Sequence, residues 1–335
     1  MKVALNLLLI LVASMLCLLA VEGLTRLVLD DGMLYELEMW KYAREVKMRD
    51  TRPDLGHRHR ANAQAKLMNV DVRTDSRGLR GPEIAGKAGD GVARIAFVGD
   101  SITMGWGVAE KETFAHQVLE GLVRAGRKVD GFNLGVGNYN TLQELTLFRE
   151  VGAPLKPDII VLAYFINDAE PMPSYSDSDS DWLTNHSAAW VVAGYRFDNL
   201  FRLFGEAPDW KRYYRDLYEP KAAGWLQTRR ALGDFATTAR DIGAKIIVYN
   251  IPELRELKPY PFGDITAKVQ AVVEKNGMPF VDLLPTVENQ DPASLWVTVP
   301  DPHPNGKAEI IFAKGMIPSL LPMLDELCRT RGKGC

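Results

Sequence analysis

Histidine, cysteine and a surplus of either charge are all scarce in this chain. Its 335 residues carry 40 Lys and Arg against 43 Asp and Glu, a formal net charge of −3. Without a basic excess there is no electrostatic footprint for a nucleic-acid partner, and none is expected. Cysteine occurs three times. Cys17 lies in an apolar run, and Cys328 and Cys335 close the chain in "CRTRGKGC". The two glycines between that pair allow a tail staple in an oxidising compartment, and two unrelated thiols fit the spacing equally well.

Several familiar signatures are also missing or incomplete. No G-x-S-x-G is present, which removes the nucleophile elbow of the α/β-hydrolases. "GPEIAGKA" (81–88) puts Ala88 where a phosphate-binding loop needs Ser or Thr, and "GVGNYN" (135–140) lacks the third glycine of a dinucleotide fingerprint. His57-x-His59 has no evident third metal ligand and reads as a loop. "SYSDSDSDW" sets Asp177, Asp179 and Asp181 at calcium-loop spacing, but Trp182 replaces the required glycine and Ala188 the closing glutamate. An acidic, solvated loop is expected there, and neither metal nor other cofactor is expected anywhere.

What the chain does have is apolar text. Hydrophobic residues make up 47% of it, enough for one large domain. Residues 3–21, "VALNLLLILVASMLCLLAV", contain no charge and match the length of a membrane-spanning helix. The run is longer than a secretory core and closes on "LAVEG", a poor cleavage site, so an uncleaved anchor is favoured over a signal peptide. Lys2 before the run, against Asp30 and Asp31 after Arg26, puts the amino end in the cytoplasm and the body in a periplasmic or extracellular space. Residues 24–50 read as helical, and 51–92 as polar and irregular with one edge strand.

From residue 93 strands alternate with helices: "ARIAFVG", "GFNLGV", "PDIIVLAYFI", "AKIIVYNIP" and "PFVDLL" are the strands, and the last helix covers 306–322. Continuous apolar strands separated by helices mean a parallel sheet covered on both faces, hence an α/β/α sandwich with five strands. The expected organisation is an anchor at 1–23, a pre-segment at 24–92, a main domain at 93–325 interrupted by an insertion at 171–222, and a tail at 326–335.

"VGDSITMGWG" (98–107) ends the first of these strands in Gly-Asp-Ser. A bare turn is one explanation. A nucleophile at the carboxyl edge of the sheet is the other, and it demands a base and donors for an oxyanion. Of the five histidines, His116 falls in a helical pattern and His186 in the insertion, which leaves His303 in the proline-stiffened "VPDPHPNGK" with Asp301 two residues away. Such an Asp-x-His is by itself also a common capping turn. The N–H of Ser101, a turn at Gly137-Asn138 and the side-chain amide of Asn167 supply candidate donors, each at a strand's carboxyl edge.

These blocks resemble the SGNH, or GDSL-type, hydrolase superfamily over about residues 93–322, in the right order along the chain. "VGDSIT" matches the block of the nucleophile, "NLGVGNYNT" the second, "FIND" the third and "DPHPN" the last. The resemblance implies a flavodoxin-like sandwich, Ser101 as nucleophile, His303 as base, and Asn167 as an oxyanion donor. Three departures stand out: Asn138 occupies the usual donor-glycine position, Phe165 replaces the glycine that opens the third block, and Pro300 stands where the orienting aspartate usually lies. Asp-x-His occurs in related cell-surface acetyltransferases, so Asp301 is taken as the orienting residue. The expected activity is acyl-ester hydrolysis on O-acylated carbohydrate outside the cytoplasm. The alternatives are an O-acetyltransferase using the same serine and a non-catalytic surface scaffold.

Overall fold

The computed structural model describes residues 2–173, 182–204, 209–299 and 301–335. Asp177, Asp179, Asp181 and Pro300 therefore lie outside the described residues. Helix α1 (Lys2–Val28) has its leucines exposed almost throughout and is long and apolar enough to cross a membrane.

The stretch 24–50 is not one helix, as its composition led us to expect. α1 stops at Val28, the chain turns through Gly32 at φ +78°, and α2 (Tyr35–Glu45) starts a new direction. A strand follows instead of more helix. β1 (Lys47–Arg49) pairs antiparallel with β2 (His57–His59), so His57-x-His59 is strand rather than loop, with both imidazoles buried. β3 (Gln64–Leu67) and β4 (Val70–Arg73) form a hairpin. Residues 81–88 are irregular, with no strand-to-helix junction that could cradle a phosphate.

The sandwich begins with β5 (Ala93–Val98), followed by the single-turn α3 (Ser101–Met104) and by α4 (Phe114–Arg124). Then come β6 (Val129–Asn133), α5 (Thr141–Leu147) and β7 (Ile159–Tyr164). The insertion folds as α6 (Trp182–His186), α7 (Ala188–Phe204) and α8 (Trp210–Leu217). The alternation resumes with α9 (Ala223–Asp241), β8 (Lys245–Asn250), α10 (Gly263–Lys275), β9 (Phe280–Asp282) and α11 (Leu284–Val287). A short hairpin, β10 (Trp296–Thr298) and β11 (Asp301–Pro304), leads into α12 (Gly306–Arg331).

The five sheet strands run in the order β6-β5-β7-β8-β9, all parallel. That is the flavodoxin-like order, and its switch point lies between β5 and β7. Strand side chains alternate between faces. Ala96, Val98, Ile160 and Leu162 pack with α5, α9 and α10, while Ile95, Phe97, Ile159 and Val161 pack with α4 and α12.

α12 runs nine residues past the expected end at 322, through Pro318 and Pro322. Each proline removes a helical donor, but Leu320, Leu324 and Leu327 are buried against the sheet, and that packing outweighs local propensity. Cys328 and Cys335 are joined in a disulfide, which decides the tail in favour of the staple.

Candidate active site

Gly99 explains why the strand ends as it does. A Cβ there would sit 2.1 Å from Thr103 Oγ1 and 3.0 Å from the Ala163 carbonyl, so only glycine lets β5 turn this tightly beside β7. Asp100 then caps α3, its Oδ1 accepting from the Ile102 N–H at 2.9 Å. Ser101 is thereby held at the switch point with its side chain facing a cleft of about 360 Å³.

His303 and Asp301 reach that cleft from β11. Ser101 Oγ lies 2.9 Å from His303 Nε2, and His303 Nδ1 lies 2.5 Å from Asp301 Oδ1. The carboxylate accepts, so Nδ1 carries the proton and Nε2 presents its lone pair to the serine hydroxyl; this tautomer follows from the network. Asp301 Oδ1 also accepts the His303 N–H at 3.1 Å, and Oδ2 accepts from Trp106 Nε1 at 2.8 Å. Burial opposes the charge on Asp301, yet the hydrogen bonds from His303 and Trp106 hold its carboxyl below the usual carboxylate range. Trp106 stands in the quoted nucleophile block, but nothing in that text marks it as the second donor to an aspartate some two hundred residues away.

Asn138 and Asn167 line the same cleft. Asn138 takes φ +66° in a turn closed by the Tyr139 N–H on the Val136 carbonyl at 3.3 Å, a conformation asparagine tolerates better than most residues. Its N–H and that of Ser101 donate to no group among the described residues. Asn167 rides on a short 3₁₀ turn after β7, Ile166–Ala169. The Gly137 N–H is not a free donor, because it donates to Tyr42 Oη at 2.8 Å.

A serine–imidazole–carboxylate relay beside an amide and two N–H groups without an acceptor among the described residues is equipped for nucleophilic attack on a carbonyl. The GDSL-like lipase/acylhydrolase family model matches residues 97–309, more than half of the chain. The chain belongs to this family. No curated protein matches it in sequence. Solved structures similar to it include TesA (TM-score 0.46, 18% identity, 69% of this chain and 99% of that one). Others are the acetylxylan esterase Axe2 of Geobacillus stearothermophilus (0.45, 16%, 68% and 94%) and a lipase/acylhydrolase of Enterococcus faecalis (0.43, 14%, 68% and 95%). The family match makes the protein an enzyme of the GDSL esterase class.

The pre-segment, outside the residues that the GDSL family model matches, clamps the turn carrying Asn138. Tyr42 of α2 is fully buried; its hydroxyl accepts the Gly137 N–H and, having one proton, donates it to His59 Nε2 at 2.7 Å. His59 Nδ1 donates in turn to the Gly78 carbonyl at 3.2 Å. On the other side of the same residue, His57 Nε2 donates to the Gly137 carbonyl at 3.0 Å. Lys47 of β1 donates to Asn138 Oδ1 at 2.7 Å. Burial, reinforced by the Lys47 charge, pulls both imidazoles down to about 3, so both are neutral at ordinary pH. The spacing His57-x-His59 was a signal for a shared role, but not for this one.

Beneath the site lie three buried carboxyls, Asp100, Glu144 and Asp168. Burial and mutual repulsion raise Glu144 and Asp168 well above the usual range, and burial raises Asp100. Asp168 Oδ2 accepts the Phe165 N–H at 2.9 Å, which shapes the turn that presents Asn167.

Proposed function

We propose that this GDSL esterase works through an acyl-Ser101 intermediate, and that its substrates are short acyl esters of carbohydrate outside the cytoplasm. The observation that carries the reading is the unbroken hydrogen-bonded line Ser101–His303–Asp301 opening into a polar cleft. Ser101 Oγ attacks the ester carbonyl while His303 Nε2 takes the hydroxyl proton. The Ser101 and Asn138 N–H groups and the Asn167 amide stabilise the oxyanion. Collapse breaks the ester C–O bond, and His303 returns the proton to the departing alcohol. Water, deprotonated by His303, then releases the acyl group as a carboxylic acid and restores Ser101. Asp301 orients the imidazole and stabilises it while charged.

Carbohydrate is favoured by the lining around the serine. Tyr35, Tyr195 and Tyr214 line the cleft with aromatic rings, while Glu170 and Arg255 add an acceptor and donors for hydroxyl groups. Phe165 and Trp106 narrow the space beside Ser101, which favours a short acyl chain. The apolar α1 supports a membrane tether, and the Cys328–Cys335 disulfide supports an oxidising compartment.

A fluorophosphonate probe should label Ser101, and Ser101→Ala should abolish both labelling and turnover of aryl acetates. Assays with and without oligosaccharide acceptors separate hydrolysis from transfer, since a transferase passes the acyl group to a sugar hydroxyl in place of water. Unchanged ester turnover in Ser101→Ala would remove both readings and leave a non-catalytic scaffold.

A further inference from the structure

The insertion is tied to α1 at one identifiable depth. The uncharged run 3–21 is about 28 Å long as a helix, close to the hydrocarbon thickness of a bilayer. Glu22 is the first charge after it, so its carboxylate belongs at the bilayer surface. That carboxylate accepts the Ser187 hydroxyl at 2.8 Å and the Ala188 and Ala189 N–H groups at 3.0 Å each, capping α7. Arg26 donates to the His186 carbonyl at 3.1 Å, and Trp40 Nε1 donates to the Thr184 carbonyl at 2.6 Å. α6 and the first turn of α7 are thereby fastened at the level where the apolar run ends.

Around this fastening the insertion exposes large apolar side chains. Trp182 is 68% exposed, Trp190 49% and Phe197 61%, and Leu183 is also exposed. Trp190 and Phe197 are seven residues apart, hence on one face of α7. Leu24, Leu27 and Val28 of α1 continue the apolar surface above Glu22. Arg26 and Arg44 flank the Trp40 ring, at 5.7 and 4.5 Å from its centroid. Tryptophan beside arginine is the pairing that suits the headgroup region, and an amphipathic helix at that depth lies in the interface plane.

We infer that α6 and α7 rest in the outer interface of the same bilayer that α1 spans, with Trp182, Trp190 and Phe197 inserted among the lipids. The inference rests on the anchor reading of α1. Its consequence for the enzyme is direct: Tyr195 of α7 and Tyr35, just after α1, both line the cleft, so the mouth of the active site is held at the membrane surface. The ester is taken there, not in the bulk compartment.

The test uses full-length protein in nanodiscs of phosphatidylcholine and phosphatidylglycerol whose acyl chains are brominated near the glycerol end. Tryptophan fluorescence should be quenched, and Trp182→Phe with Trp190→Phe should remove most of that quenching. In a Cys17→Ser background, a nitroxide at Phe197→Cys should relax more with oxygen than with a water-soluble nickel chelate. Quenching unchanged by the double substitution, or a nitroxide open to the chelate, overturns the inference while the anchor stands. Release of the full chain from membranes by alkaline carbonate would instead remove the anchor, and the inference with it.

Discussion

Tyr42→Phe removes a single oxygen and tests whether the pre-segment holds the oxyanion turn. The ring keeps its volume, so no cavity opens in the cluster of Val46, Leu67, Met104 and Trp106 around it. What is lost is polar: the buried Gly137 N–H loses its acceptor and His59 Nε2 its donor. An orphaned buried group costs about 1–3 kcal/mol, so two related ones should together lower stability by about 2–4 kcal/mol. At about 1.4 kcal/mol per factor of ten, the unfolding constant should rise by roughly 30- to 1000-fold. Turnover should also fall, because the freed turn carries the Asn138 N–H. Complete loss of one oxyanion donor costs on the order of 10²–10³ in kcat, which sets the ceiling. Urea unfolding of the full chain in detergent, followed by tryptophan fluorescence, measures the first effect, and aryl-acetate hydrolysis under native conditions the second. A variant within about 0.5 kcal/mol of the parent, as for a surface change, and with unaltered kcat would refute the clamp.

The same network sets an acid response. His57 and His59 are held near 3 when folded and return to about 6.5 when unfolded, so the unfolded chain binds more protons as pH falls below 6.5. The two histidines' share of the stability should therefore be level above that pH and fall by about 2 kcal/mol each by pH 5, read as the difference between the parent and His59→Gln in pH-dependent urea midpoints. Asn167→Ala should lower kcat on the order of 10²–10³ while the fluorophosphonate still labels Ser101, only more slowly. Asp301→Ala should cut turnover by orders of magnitude if the Asp-x-His spacing orients the imidazole, and near-normal rates would mean a Ser–His dyad or another orienting carboxylate. Trp106→Phe removes a donor to a carboxylate, an interaction worth about 1.5–3 kcal/mol, so kcat should fall roughly 10- to 100-fold with the fold retained.

The sandwich was legible because its signals are local. Five apolar strand runs separated by helical periods need only pattern to be recognised, and a parallel sheet covered on both faces is the arrangement that buries them. Ser101, His303 and Asn167 could be singled out as candidates for the same reason, each ending or following such a run in its own short block. Tertiary structure decided what depends on distant partners. β2 became a strand because β1 was there to pair with it, and its histidines are buried because they bond to the turn at Gly137. α12 ran through two prolines because its leucines had a sheet to cover. Gly137, read as a donor from its position, spends its N–H on Tyr42, nearly a hundred residues earlier in the chain. A hydrogen bond leaves no mark on the spacing of residues that only folding brings together, so the clamp, the Trp106 contact and the docking of α7 on Glu22 belong to the tertiary structure alone.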